Sequence, residues 1–237
     1  MMKIAGLDIG TTGCKLTVFD ENGSRIGKAY REYQVRRRVS GHEMDISAMM
    51  ESVYAVIEEM AAQYPDIAGI GVTSFGETFV MTNSEGEPLH NAMLYTDTRG
   101  RAECAELVEK LGAGRIAEVT GLAPHEMYSI SKMMWIKKHQ PDVYTNARRI
   151  HLIEDFVVWH LTRKSQIDYS LATRTMAFNI HTLTWSAEIF EAAGIDAGLM
   201  SEPVPTGTDA GTITVDTARR TGLHKGCAVV SDRKSVV

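Results

Sequence analysis

The order of segments along the chain predicts an α/β layered domain: a mixed five-stranded sheet with flanking helices and a helical insertion. Three observations carry that prediction. Three alternating stretches separated by turn signals open the chain. An amphipathic helix then leads into an apolar run at 67–75. A mostly helical stretch from 98 to about 195 precedes a return to alternation at 211–231.

Residues 3–9 (KIAGLDI) and 14–20 (CKLTVFD) read as two strands joined by Gly10-Thr11-Thr12-Gly13. Asp20-Glu21-Asn22-Gly23 is a second turn signal, and 24–36 reads as a third strand with apolar Ile26, Ala29, Tyr33 and Val35. Asp45-Ile46-Ser47 starts a helix whose stripe of Met49, Val53, Val56, Ile57 and Met60 runs to about Tyr64. IAGIGVTSF (67–75) fits a buried strand, and ETFVMTN (77–83) follows it before the Ser84-Glu85-Gly86-Glu87 turn. Helices are predicted at 98–111, 113–119, 129–139, 154–162, 169–175 and 185–193, with a short strand at 148–153. Strands at 211–216 and 226–231 flank a short helix at 216–221. We find no internal repeat, low-complexity tract or linker. This order fits the ribonuclease-H-like sheet of the actin-like ATPase superfamily, a statement about fold and not about activity.

Composition excludes several classes. With 237 residues, 44% apolar and 23% charged, the chain suits a self-supporting globular core. A net charge of −5 argues against a nucleic-acid partner. Arg36-Arg37-Arg38, the basic cluster, reads as a solvated strand end. Three scattered cysteines and histidines without metal-type spacing argue against a disulfide framework or a metal cage. No apolar run reaches the roughly 18 residues of a membrane span, and no signal peptide precedes Lys3, so a cytoplasmic protein with no membrane partner is expected.

The opening turn has its own chemistry. Gly10 and Gly13 allow close backbone approach, turn N–H groups can form an anion nest, and Thr11, Thr12 and Lys15 add donors and positive charge. Asp8 repels a phosphate but can hold Mg²⁺, directly or through water. A plain β-hairpin turn would use the same small residues. Glu77 sits just past a buried strand, where ligands commonly bind, and suits sugar hydroxyls as an acceptor; it also suits an exposed hairpin carboxylate. Gly76 beside it permits close approach or marks a bend. Asp97 and Arg99 either bind a hydroxyl or form an ion pair that holds their loop. Tyr128 either walls a sugar site or fills a core, and Trp135, Trp159 and Trp185 lie on helical stripes.

GLDIGTTGCK (6–15) resembles the first phosphate motif of the FGGY carbohydrate kinases. Gly41-His42-Glu43-Met44-Asp45 resembles the family's G-W-x-E-x-D stretch, and VTSFGETFVMTNSEGEPLHNAMLYTDTRG (72–100) its substrate-loop hairpin. Tyr95-Thr96-Asp97-Thr98-Arg99 matches W-x-D-x-R with Tyr for Trp, while 120–144 and 167–185 resemble segments of the pentulose and gluconate kinases. The resemblance, over residues 3 to about 230, implies the N-terminal lobe of a kinase using ATP and Mg²⁺ on a small sugar of pentulose, hexulose or gluconate type, and it allows a homodimer. It maps Asp8, Gly10, Thr11, Thr12, Gly13 and Lys15 to the nucleotide phosphates, and Gly76, Glu77, Thr78, Asp97, Arg99 and Tyr128 to the sugar. Gly76-Glu77-Thr78 stands where xylulose kinases tend to carry Gln-Met-His and glycerol kinases Arg-Glu.

The family base is an Asp in a G-G-x-D stretch after the last strand, which falls here near Ser235; Asp232 lies about three residues early and is the weaker candidate. No other catalytic residue is identified. The expected organisation is a sugar-binding, phosphate-hairpin domain over 1–231, an atypical tail over 232–237, and no C-terminal ATP-binding domain, so the chain alone is expected to be inactive. The rival readings are an actin- or chaperone-like ATPase module and a non-catalytic sugar-binding fragment.

Overall fold

β1 (Lys3–Ile9) and β2 (Gly13–Phe19) pair antiparallel, and β3 (Arg25–Glu32) pairs with β2, as the opening pattern predicts. The computed structural model describes residues 2–38 and 41–232. The strand expected over 24–36 breaks at Tyr33-Gln34. Tyr33 is buried; its N–H donates to the Thr12 carbonyl at 3.2 Å and its hydroxyl to the Gly10 carbonyl. These bonds pull the chain onto the Gly-Thr turn. Beyond them β4 (Val35–Arg38) pairs with β5 (Gly41–Met44) in a second sheet, where Arg36 and Arg37 are exposed.

α1 (Ile46–Gln63) begins where Asp45 accepts a hydrogen bond from the Ala48 N–H at 3.1 Å. It leads to β6 (Ile67–Ser74), parallel to β1. β7 (Phe79–Thr82) and β8 (Ala92–Met93) join the second sheet. The helical insertion follows: α2 (Arg101–Leu111), α3 (Ala113–Thr120), α4 (Ser129–His139) and α5 (Pro141–Asn146). β9 (Arg149–Leu152) closes the second sheet before α6 (Ile153–Thr162). β10 (Gln166–Asp168), α7 (Tyr169–Thr173), the hairpin of β11 (Phe178–Asn179) and β12 (Thr184–Trp185), α8 (Ala187–Ala193) and β13 (Glu202–Val204) come next. β14 (Thr208–Thr212), α9 (Val215–Thr221) and β15 (Ala228–Ser231) complete the described chain.

Among the described residues the main sheet has six strands, ordered β14-β15-β6-β1-β2-β3, one more than expected. The sixth is β14, an antiparallel edge strand beginning three residues before the predicted 211–216. It stops early because the Ile213 N–H bonds to the Cys227 carbonyl and Thr214 caps α9 through the Thr217 N–H at 3.1 Å. Similarly, α2 starts at Arg101 because Asp97–Gly100 is held as a turn, and α8 starts after Trp185, which belongs to the β11–β12 hairpin.

α1 and α6 cover one face of the main sheet. Leu7, Leu16 and Val72 meet Val53, Ile57 and Val157 there in a core with no solvent exposure. A second core, around Phe79, Leu107, Ile130 and Phe178, lies in the helical insertion. The opposite face of the main sheet, with Ile4, Gly6, Thr17, Phe19, Gly69 and Gly71, lines a cavity of about 570 Å³.

Candidate active site

Two segments leave the main sheet side by side. The Gly-Thr turn follows β1 directly, and the 75–78 segment follows the parallel strand β6, tied on by the Phe75 N–H to the Ile9 carbonyl at 3.1 Å. The carboxyl ends of adjacent parallel strands are where such sheets bind ligands.

Within the turn the Gly10 N–H bonds the Gly13 carbonyl at 2.9 Å. A Cβ at Gly13 would sit 2.5 Å from the Tyr30 hydroxyl and 2.6 Å from the Arg31 carbonyl. Packing against β3 thus requires Gly13, a reason separate from phosphate access. Register sets Asp8 opposite Lys15 on β2 and beside Thr73 on β6. The Lys15 ammonium lies 3.3 Å from the Asp8 carboxylate, both partly exposed. Asp232, whose N–H bonds the Val72 carbonyl at 3.0 Å, lines the same cavity as Asp8, Lys15 and Thr73. Among the described residues no three His, Cys, Asp or Glu side chains converge as a metal cage. Mg²⁺ needs less, since it keeps waters and takes one or two carboxylates plus substrate phosphates. Asp8 on the open cavity, with Thr11, Thr12 and Lys15 around the turn, fits that demand. Ser235 lies outside the described residues.

Glu77 adopts a φ of 63°, a conformation that residues with a Cβ avoid at a cost of about 1–2 kcal/mol. It is held there from two sides. The Ser129 hydroxyl, at the start of α4, donates to the Glu77 carbonyl at 3.0 Å. Arg174 donates from Nε to Glu77 Oε1 at 2.5 Å and pairs with it through a second nitrogen. The Arg174 guanidinium lies 5.1 Å from the centroid of the Tyr128 ring, which is itself buried. Gly76 and Thr78 are buried beside them, and the Thr78 hydroxyl has no hydrogen-bond partner. Backbone strain and an orphaned buried hydroxyl are features that collect at ligand sites.

Asp97 and Arg99 form a different unit. Asp97 is buried and accepts from the Arg99 N–H, the Arg99 guanidinium and the His42 N–H at 2.6–3.1 Å. Burial raises its pKa, but these bonds outweigh that and hold the carboxyl below its ordinary value. Arg99 also bonds Glu43 at 2.8 Å and lies 5.0 Å from the Trp135 ring centroid. The pair therefore staples the 94–99 loop to β5 and α4. Glu77, Gly76, Thr78 and Tyr128 come together; Asp97 and Arg99 pair with each other in the 94–99 loop, which Lys132 of α4 ties to the same helix that holds Glu77.

Arg174 and Ser129 were not legible as site residues. Arg174 lies 97 residues from Glu77, near the end of the helix predicted at 169–175, and nothing local links the two.

The family model for the N-terminal domain of the FGGY family of carbohydrate kinases matches residues 3–234. The glycerol kinase of Symbiobacterium thermophilum is 34% identical over 215 residues, 86% of this chain and 43% of that protein. Glycerol kinase 2 of Thermotoga maritima is 34% identical over 218 residues, 87% of this chain and 44% of that one. The chain thus spans less than half the length of these relatives. A xylulose kinase structure from Brucella ovis superposes with a TM-score of 0.91 at 25% identity, covering 98% of this chain and 48% of that one. A gluconate kinase structure from Lactobacillus acidophilus gives a TM-score of 0.91 at 23% identity, again with 98% and 48% coverage, a likeness of fold. No helix among the described residues is long and apolar enough to cross a membrane. The chain belongs to the FGGY family of carbohydrate kinases.

Proposed function

We propose that this chain is the acceptor-binding, phosphate-gripping half of a kinase that moves the γ-phosphoryl group of ATP to a hydroxyl of a small sugar or polyol. The observation that carries the reading is the adjacency of the two segments: the Gly-Thr turn and the Glu77 segment leave neighbouring parallel strands, joined at Ile9 and Phe75. Phosphoryl transfer asks for alignment and charge neutralisation more than for covalent chemistry. In this reading Thr11, Thr12, Lys15 and the turn amides bind the nucleotide phosphates, and Asp8 holds Mg²⁺, which would neutralise phosphate charge when bound. Glu77, kept in place by Arg174 and Ser129, accepts the hydroxyl protons of the sugar, and Tyr128 with Arg174 walls its carbon skeleton. Asp232, which lines the same cavity as Asp8, is the candidate for taking a proton from the attacking hydroxyl, a role that adds about 10²–10⁴-fold. The adenosine site belongs to a C-terminal domain outside this sequence, and ATP hydrolysis without acceptor is not expected.

Among acceptors, a pentulose, hexulose or gluconate-type sugar is the first reading, from the resemblance of 120–185 to those kinases. Glycerol is the second, favoured by the 34% identity to proteins named glycerol kinase. An ADP-release assay with D-xylulose, D-gluconate and glycerol, run on the chain alone and joined to a relative's C-terminal half, tests the proposal. Acceptor-dependent release only by the joined form supports it. Release independent of any acceptor supports an ATPase module, and acceptor binding without release in either form supports a sugar-binding fragment.

A further inference from the structure

One lysine of α4 is not absorbed by the roles above. Lys132 is completely buried, the only lysine so placed among the described residues, and its ammonium donates to the Leu94 carbonyl at 3.1 Å. That carbonyl is a hub. It also accepts the Asp97 N–H at 3.0 Å, closing the turn that presents Asp97 to Arg99 and to the His42 N–H. One turn earlier on the same helix, Ser129 holds the Glu77 carbonyl. A single helix end therefore grips both the Glu77 segment and the 94–99 loop from inside. We propose that Lys132 is the positioning residue of the acceptor pocket, fixing where the 94–99 loop stands relative to Glu77; this deepens the proposed function and rests on it.

Stability alone does not explain a lysine here. Burial pushes its pKa down to about 7, with Asp97 and Glu77 opposing and Arg99 adding to the shift. A methionine would fill similar space without burying an amine, and the carboxylates of Asp97 and Glu77 that face Lys132 keep Arg99 and Arg174 as partners once the amine is gone. The lysine disfavours the folded state through its own burial, yet supplies a bond that a methionine cannot.

The test uses Lys132→Met and Lys132→Arg in the 237-residue chain, with thermal melting, amide hydrogen exchange, and calorimetric titration with glycerol and D-xylulose. The expected result for Lys132→Met is a melting temperature at or above that of the unsubstituted chain. Exchange at the Asp97, Arg99 and His42 amides should rise tenfold or more while the β1–β2 ladder is unchanged, and affinity for the binding polyol should fall at least tenfold. Lys132→Arg, which keeps a donor, should change exchange at those amides by less than threefold. Unchanged exchange in Lys132→Met, an equal rise in both variants, or a Met variant that does not fold would each overturn the proposal. If the unsubstituted chain binds neither polyol, the acceptor reading fails by itself, and the exchange result still decides what Lys132 holds.

Discussion

Replacing Glu77 by alanine and by glycine separates the conformation of this residue from its chemistry. Its φ of 63° costs a residue with a Cβ about 1–2 kcal/mol. Glycine escapes that cost but loses about 0.4–1 kcal/mol through its freer unfolded chain. The Gly variant should therefore be more stable than the Ala variant by roughly 0.5–1 kcal/mol. For a domain of this size that is about 1–4 °C in melting temperature. Both variants remove the carboxylate that Arg174 holds. Losing a charge-assisted hydrogen bond of about 1.5–3 kcal/mol predicts a drop of roughly 10–100-fold in polyol affinity, equal in the two variants. Urea or thermal melts read the first quantity and calorimetric titration with polyol the second. An Ala variant as stable as the Gly variant would refute the conformational argument. Polyol affinity unchanged in either one would refute the assignment of Glu77 to the acceptor.

Three further outcomes follow from the same geometry. Asp8→Asn should weaken Mg²⁺-nucleotide binding at least tenfold by calorimetry and leave polyol binding within about twofold, because Asp8 lies on the sheet cavity and not beside Glu77. Gly86→Ala places a Cβ 1.9 Å from the Trp159 ring at a φ of 85°, and should cost roughly 3 kcal/mol, read as a melting temperature about 6–12 °C lower. Burial pushes the His160 pKa down from 6.5 to about 4, so its contribution is intact above pH 6.5 and is lost as pH falls toward 4, up to about 3 kcal/mol. His160→Gln should flatten the urea midpoint between pH 7 and 4.5; an unchanged slope would contradict this.

How much was readable in the sequence depended on distance along the chain. The Gly-Thr turn was legible because two short alternating stretches flank it, whereas the Asp8–Lys15 cross-strand pair emerges only from the β1–β2 register. The Asp97–Arg99 pair was legible as a choice between hydroxyl binding and bracing, and the bonds to His42 and Glu43, more than 50 residues away, favour bracing. Arg174 was not legible as a partner of Glu77, since nothing local links positions 97 apart. The second sheet was hidden because β8 is two residues long and β4 reads as a continuation of β3. Only the Tyr33 bonds to the Gly-Thr turn show why that strand ends where it does. The cavity on the open sheet face was invisible as well: Gly6, Gly69 and Gly71 are scattered in sequence, and only the β1–β6 register lays them side by side.

The most direct measurement is a crystal structure of this chain with Mg²⁺, a non-hydrolysable ATP analogue and a polyol that it binds. We predict phosphate oxygens against the residue 10–13 turn, Mg²⁺ within one water of Asp8, and polyol hydroxyls on Glu77 beneath Tyr128. Ligands seated elsewhere, with the turn and Glu77 unchanged, would contradict the assignment.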